Sequence, residues 1–79
     1  MKVYAIALTR TVYPESRTFE ICFYEQPSMK LALYYHLLTF RFYDYAADIR
    51  EFIDQLPHDL DQIKTKFFEL GYLIDIQEV

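Results

Sequence analysis

The chain has 79 residues, enough for one domain with one hydrophobic core, spanning residues 1–79. Twelve acidic and eight basic side chains give a net charge of −4. This balance argues against direct nucleic-acid binding, which normally requires a clustered basic surface.

Cys22 is the single cysteine, so no intramolecular disulfide can form, and a lone thiol is typical of a reducing compartment. The N-terminus lacks the pattern of a signal peptide, and no apolar run approaches the roughly 20 residues that span a bilayer. We therefore expect a soluble, intracellular protein in the cytoplasm, either of the producing cell or of a host cell, with no membrane partner.

Two strands are predicted in the first third of the chain. Lys2–Arg10 is apolar on both faces, which is typical of a strand inside a sheet rather than at its edge. A turn at 11–17, containing Pro14, leads to a second strand at Thr18–Glu25, and strands so close in sequence usually form a hairpin. The alternation in the second strand places Phe19, Ile21 and Phe23 on one face, and Glu20, Cys22 and Tyr24 on the other.

Ser28–Leu38 is predicted to be a helix, because it is rich in good helix formers and Ser28 can cap its first turn. Apolar residues surround this helix, so it is either buried on most sides or uses one side for an interface. A strand is an alternative here, because residues 39–43 alternate and are β-prone, and the conformation of 39–43 is left open.

Asp44–Leu56 is predicted to be an amphipathic helix with Asp44 as its N-cap, ending before Pro57. The outer stripe consists of Asp44, Asp48, Glu51 and Gln55, with Asp54 at its edge. The inner face consists of Tyr45, Ile49, Phe52, Ile53 and Leu56.

A further helix is predicted at Asp59–Leu70, capped by Asp59 and followed by Gly71 as a left-handed residue. Tyr72–Val79 reads as a third strand with Tyr72, Ile74 and Ile76 on one face. The elements give the order β-β-α-α-α-β, which predicts a small α+β domain with helices packed on one face of a three-stranded sheet.

The sequence offers few residues for catalysis. Cys22, His36 and His58 are isolated, whereas structural zinc needs about four ligands at characteristic spacings. Cys22 is expected to be a buried, inert thiol and His36 a packed histidine. Gly71 is the only glycine, which excludes a glycine-rich phosphate loop. We therefore expect no enzymatic activity, no metal and no cofactor.

Acidic residues concentrate in the second half of the chain. Residues 44–79 carry nine acidic and three basic side chains, whereas 1–43 carry three acidic and five basic ones. Carboxylates steer association with a basic surface, and aromatic anchors hold the complex. The predicted partner-binding residues are Asp44, Asp48, Glu51, Asp54, Asp59, Asp61, Tyr34, Tyr35, Tyr43 and Tyr45.

These residues predict a non-enzymatic protein that occupies a basic surface of a larger protein, for example a surface that binds nucleic acid. In size and charge the chain is similar to small acidic inhibitors made by phages, including anti-CRISPR and anti-restriction proteins, and the likeness implies an inhibitory role. One alternative is a homo-oligomeric structural or regulatory domain, such as a homodimer formed through the apolar segment 29–40. Another is a metal-dependent hydrolase that uses Asp44, Asp48 and Glu51 as oxygen ligands.

Overall fold

The computed structural model describes residues 1–11 and 21–79. The described strands are β1 (Lys2–Arg10), β2 (Ile21–Gln26) and β3 (Tyr72–Glu78). The described helices are α1 (Met29–Phe40), α2 (Ala46–Gln55) and α3 (Leu60–Glu69). Their order is β-β-α-α-α-β, which confirms the predicted α+β fold.

The three strands form an antiparallel sheet in the order β2-β1-β3. β1 is therefore the central strand, as its two apolar faces predict. The predicted hairpin is confirmed in the antiparallel pairing of β1 with β2. Apart from Thr11, its turn at 11–17 lies outside the described residues, as does the start of the predicted second strand. Ile6 lies opposite both Cys22 and Ile76, so these three side chains share one face of the sheet.

The helices lie on that side of the sheet: α1 and α3 pack against the strands, and α2 packs on α1. Ile6 is fully buried in one core cluster with Leu33 of α1 and Ile63 of α3. The largest fully buried side chains are Phe67, Ile6, Leu33, Leu37, Ile49 and Ile63. Each helix contributes to this set, so the fold depends on one shared core rather than on the helices individually.

The N-cap predicted for α1 is confirmed, because Ser28 Oγ accepts a hydrogen bond from the Leu31 N–H at 3.2 Å. The helix continues to Phe40, two residues beyond its predicted end. Arg41 then adopts a left-handed conformation with φ of 56°, and the N–H of Phe42 donates to the Leu37 carbonyl. This is a Schellman motif, so residues 41–43 form a turn and the strand alternative is wrong.

Arg41→Gly is expected to stabilise the protein by up to about 1 kcal/mol, because glycine reaches a positive φ without the steric cost of a Cβ. Gly71→Ala is the matched control, and it is expected to lower the free energy of unfolding. Gly71 has φ of 89°, and a Cβ there would lie 3.9 Å from Thr11 Oγ1, so the cost is backbone strain rather than lack of space. Urea unfolding of both variants measures the two effects, and destabilisation by Arg41→Gly would contradict this assignment.

Two predictions for α2 are wrong. The helix begins at Ala46, with Tyr45 rather than Asp44 as its N-cap, and no side chain caps it. Tyr45 also lies outside the core, with 72% of its surface exposed. Both errors have one cause: Tyr45 has extended backbone angles, so the helical periodicity that places it on the inner face does not apply to it. The remaining inner residues are buried or partly buried as predicted.

The predicted boundaries of α3 are confirmed to within one residue. The Asp59 carboxylate accepts a hydrogen bond from the Asp61 N–H at 3.0 Å, which makes Asp59 the N-cap. Gly71 follows the helix in a left-handed conformation, as predicted. Within the described part of the chain, no helix is both long enough and apolar enough to cross a membrane.

Candidate partner-binding surface

The predicted site residues do not form one surface. Asp48 and Glu51 lie on the exposed side of α2, next to Tyr43 from the preceding turn. Asp44 and Tyr45 precede α2, and the other members lie elsewhere. Tyr34 and Asp54 line a recess between α1 and α2, Tyr35 is exposed on α1, and Asp59 and Asp61 lie at the start of α3.

A shallow recess of about 300 Å³ lies on the exposed side of α2. We call it the acidic–aromatic patch, and it is lined by Tyr43, Asp48, Glu51, Phe52 and Gln55. Asp48, Glu51 and Gln55 come together because positions three, four and seven apart in a helix share a face. The patch therefore combines two carboxylates, an amide and two aromatic rings.

The ring of Tyr43 is held in place by other rings. It meets Phe42 edge to face at a centroid distance of 4.8 Å and Phe52 at 5.8 Å. Phe42 and Phe52 in turn pack on the buried ring of Phe67, at 5.7 Å and 5.5 Å. Tyr43 still exposes 40% of its surface, so it is a fixed aromatic group that remains open to contact.

Asp44 and Tyr45 extend this surface toward the N-terminal end of α2. Asp44 lines a neighbouring recess together with Tyr43 and Arg41, so a basic group lies at this margin. Both Asp44 and Tyr45 are exposed. This margin is therefore mixed in charge. The acidic centre of the surface is formed by Asp48 and Glu51 of the acidic–aromatic patch.

Asp54 and Tyr34 belong to a different environment. They line a recess of about 230 Å³ that also contains Lys30 and Arg50. The guanidinium of Arg50 lies 6.0 Å from the centre of the Tyr34 ring, and Lys30 Nζ donates to the Leu56 carbonyl at 2.7 Å. Two basic groups and one carboxylate line this recess, so it does not continue the acidic surface.

Asp59 has a structural role, because its carboxylate caps α3. Asp61 is exposed in the first turn of α3 and suits the positive end of the helix dipole. The predicted site placed the carboxylates from Asp44 to Asp61 together, whereas the chain turns between α2 and α3 and separates them. The prediction also left Phe52 and Gln55 out of the site, although the seven-residue spacing from Asp48 to Gln55 was a usable signal.

His36 is packed inside the domain, as expected, with only 5% of its surface exposed. Its Nδ1 lies 2.8 Å from the hydroxyl of Tyr24, and its ring stacks near Phe40. Its Nε2 is buried and has no hydrogen-bond partner among the described residues. Burial lowers the pKa of His36 and raises the pKa of Tyr24, so both groups favour their neutral forms.

Cys22, predicted to be buried, is only half-buried.

The apolar residues of 29–40, on which the homo-oligomer alternative depends, are largely used within the domain. Ala32, Leu33 and Leu37 are fully buried, whereas Tyr35 is the exposed large residue of α1. Self-association through this segment stays a prediction.

In the ranges 1–11 and 21–79, no group of three His, Cys, Asp or Glu side chains is placed to hold a metal ion. Asp44, Asp48 and Glu51 therefore do not form the ligand group that the hydrolase alternative requires. The chain matches no family model, no curated protein and no solved structure in the three comparisons made.

Proposed function

We propose that the protein is a non-enzymatic binding domain that attaches to a basic surface of a larger protein through the acidic–aromatic patch. The observation that carries the proposal is the position of Tyr43. The partly buried rings of Phe42 and Phe52 hold it beside the exposed carboxylates of Asp48 and Glu51. A fixed aromatic ring loses little conformational entropy on binding, and such rings are enriched among the residues that dominate binding energy.

The charges of the patch are available to a partner. Asp48 and Glu51 are exposed, and the ion pairs in the described part of the chain involve other carboxylates, those of Glu78 and Asp75. Unpaired carboxylates beside an aromatic anchor suit Lys and Arg side chains, which can pair with the acids and stack on the ring. Such a patch adds both association rate and specificity.

Protein surfaces that bind nucleic-acid phosphates are rich in Lys and Arg, and such a surface can also accept carboxylates. Occupation of that surface by the acidic–aromatic patch would exclude nucleic acid, so we propose that the domain acts as an inhibitor, of the kind that phages direct against host defence proteins. The support is the chemistry of the patch together with the net charge of −4.

Asp48→Lys combined with Glu51→Lys is expected to weaken binding to a synthetic peptide rich in Arg and Lys by at least tenfold at low salt, because it reverses the charge of the patch. The salt dependence should also become flatter. Fluorescence titration at about 20 mM and 200 mM salt measures both effects.

The control is Asp61→Lys with Glu69→Lys, which produces the same change in net charge at two exposed carboxylates of α3. Equal weakening by both pairs would mean that only the net charge matters and would contradict a localised site. A second measurement maps the peptide by amide chemical shifts in the unmodified protein. The shifts should concentrate at residues 43–55, and a map centred on Asp59 and Asp61 would equally contradict the proposal.

A further inference from the structure

The sheet face opposite the helices is covered by no helix or strand that the structure describes, and it carries several exposed apolar side chains. We call it the open face. Alternation along the strands places on it Val3, Ala5, Ala7 and Thr9 of β1, Ile21, Phe23 and Glu25 of β2, and Leu73, Asp75 and Gln77 of β3. Phe23 exposes 65% of its surface, and Ile21 and Leu73 about half of theirs. Apolar groups exposed side by side usually mark a binding surface.

Side-chain size gives the open face the shape of a trough. The small residues Ala5 and Ala7 lie on the central strand, directly opposite Phe23 and Ile21 of β2. On the other side, the neighbours of Ala5 and Ala7 on β3 are Gln77 and Asp75, and Leu73 projects from β3 opposite Thr9. The two outer strands are about 10 Å apart, since neighbouring strands are separated by roughly 4.8 Å. That separation matches the diameter of an α-helix, about 10 Å with side chains.

The charged residues of the open face are both acidic in the described ranges. Asp75 already accepts contacts from Lys64 Nζ and from the Gln77 amide, each at 3.3 Å. Glu25, opposite Val3 at one end of the trough, has no ion pair in the described structure. A ligand of this face therefore gains most from a basic group placed over Glu25.

Shape and charge together argue against a second copy of the chain as the occupant. A copy would place its own trough over Ala5 and Ala7 and leave a gap between the sheets, which forfeits packing. It would also bring the carboxylates of Glu25 and Asp75 to a face that already holds the same two acids. A convex apolar partner fills the space over Ala5 and Ala7, and a basic group on it complements Glu25. A second copy does neither.

We propose that the open face binds an amphipathic helix of a partner protein, with its apolar stripe over Ala5 and Ala7 and a Lys or Arg over Glu25. This is the helix-in-groove mode of recognition. A strand of seven residues is about 23 Å long, which accommodates about 15 helical residues. The site lies on the opposite side of the sheet from the acidic–aromatic patch, so it is a second surface beyond the proposed function.

The test uses a synthetic 16-residue amphipathic Leu/Lys helix as the probe, titrated against protein carrying Asp48→Lys and Glu51→Lys. This background removes binding through the acidic–aromatic patch, so the two proposals can fail separately. Phe23→Ser with Leu73→Ser is expected to weaken binding at least tenfold. Glu25→Gln is expected to weaken it several-fold at low salt and to have little effect at high salt.

Phe68→Ser is the matched control, because Phe68 is equally exposed but lies on α3, away from the open face. Circular dichroism confirms that each variant folds. Amide shifts at Ala5, Ala7 and Phe23 on adding the probe support the proposal. It is overturned if Phe68→Ser weakens binding as much as the open-face pair, or if the probe shifts only residues of the helices. Concentration-dependent dimerisation that Phe23→Ser abolishes would also overturn it, in favour of a second copy.

Discussion

Phe67→Ala is expected to lower the free energy of unfolding by about 3–5 kcal/mol, the usual cost of emptying the site of a buried phenylalanine. Phe67 is fully buried and lies under the rings of Phe42 and Phe52, so its removal leaves a cavity that these rings cannot fill without moving. A domain of this size has a total stability of only about 4–12 kcal/mol, so a large part of it depends on this one side chain.

The neighbouring residue provides the control. Phe68 has the same side chain on the same helix but exposes 63% of its surface, so Phe68→Ala is expected to cost less than about 1 kcal/mol. Urea denaturation followed by circular dichroism measures both variants. If the two substitutions lower the free energy of unfolding equally, the stability of the domain does not depend on burial of the Phe67 ring. Phe67→Ala should also weaken partner binding even where the protein folds, because Tyr43 rests on rings that Phe67 supports.

The second large effect is a loss of stability in mild acid, caused by His36. Burial lowers the pKa of His36 below the ordinary value of 6.5, so the unfolded chain takes up a proton more readily than the folded protein does. The contribution of neutral His36 is fully present above pH 6.5. It decreases as the pH falls from 6.5 toward the lowered pKa of the folded state, and below that pKa no further loss comes from this residue.

The environment of His36 explains why it resists a proton. In the described structure its ring contacts the Tyr24 hydroxyl and lies near the ring of Phe40, and neither group carries charge at neutral pH. No carboxylate is ion-paired with it in the described structure, so an imidazolium there would lack compensation. Protonation should therefore separate β2 from α1 at this point before the rest of the domain opens.

His36→Asn is the informative variant, because an amide can replace Nδ1 in the contact with Tyr24 but cannot be protonated in this range. The variant should be less stable at pH 7.5 and should lose less stability than the original protein between pH 7 and 5.5. His58→Asn, which replaces an exposed histidine between α2 and α3, is the control. Thermal unfolding at several pH values measures the stability of each variant as a function of pH. A profile that His36→Asn does not flatten would show that other groups govern acid stability.

The local elements of the fold were predictable because short-range chemistry specifies them. Ser28 and Asp59 cap helices with their own side chains, and Gly71 supplies the positive φ at the end of α3. The two apolar faces of Lys2–Arg10 indicated a central strand. Each of these features depends on residues that are close together in the sequence.

The start of α2 was not predictable from the same signals. Asp44 is a preferred capping residue, yet Tyr45 takes that position, because Phe42 and Tyr43 pack on Phe52 and this packing sets where the chain enters the helix. Contacts between separate elements thus outweighed a local preference worth only about 1 kcal/mol. The exposure of Tyr45 follows from that shift.

The sequence by itself determined the element order, the α+β class, the central strand and the acidic character of α2. Only the tertiary structure decided which carboxylates act together. Asp48 and Glu51 meet beside Tyr43, Asp54 lies with basic neighbours, and Asp59 caps a helix. The tertiary structure also decided which face of the sheet the helices cover, because β1 is apolar on both faces and the choice depends on where three helices pack at once.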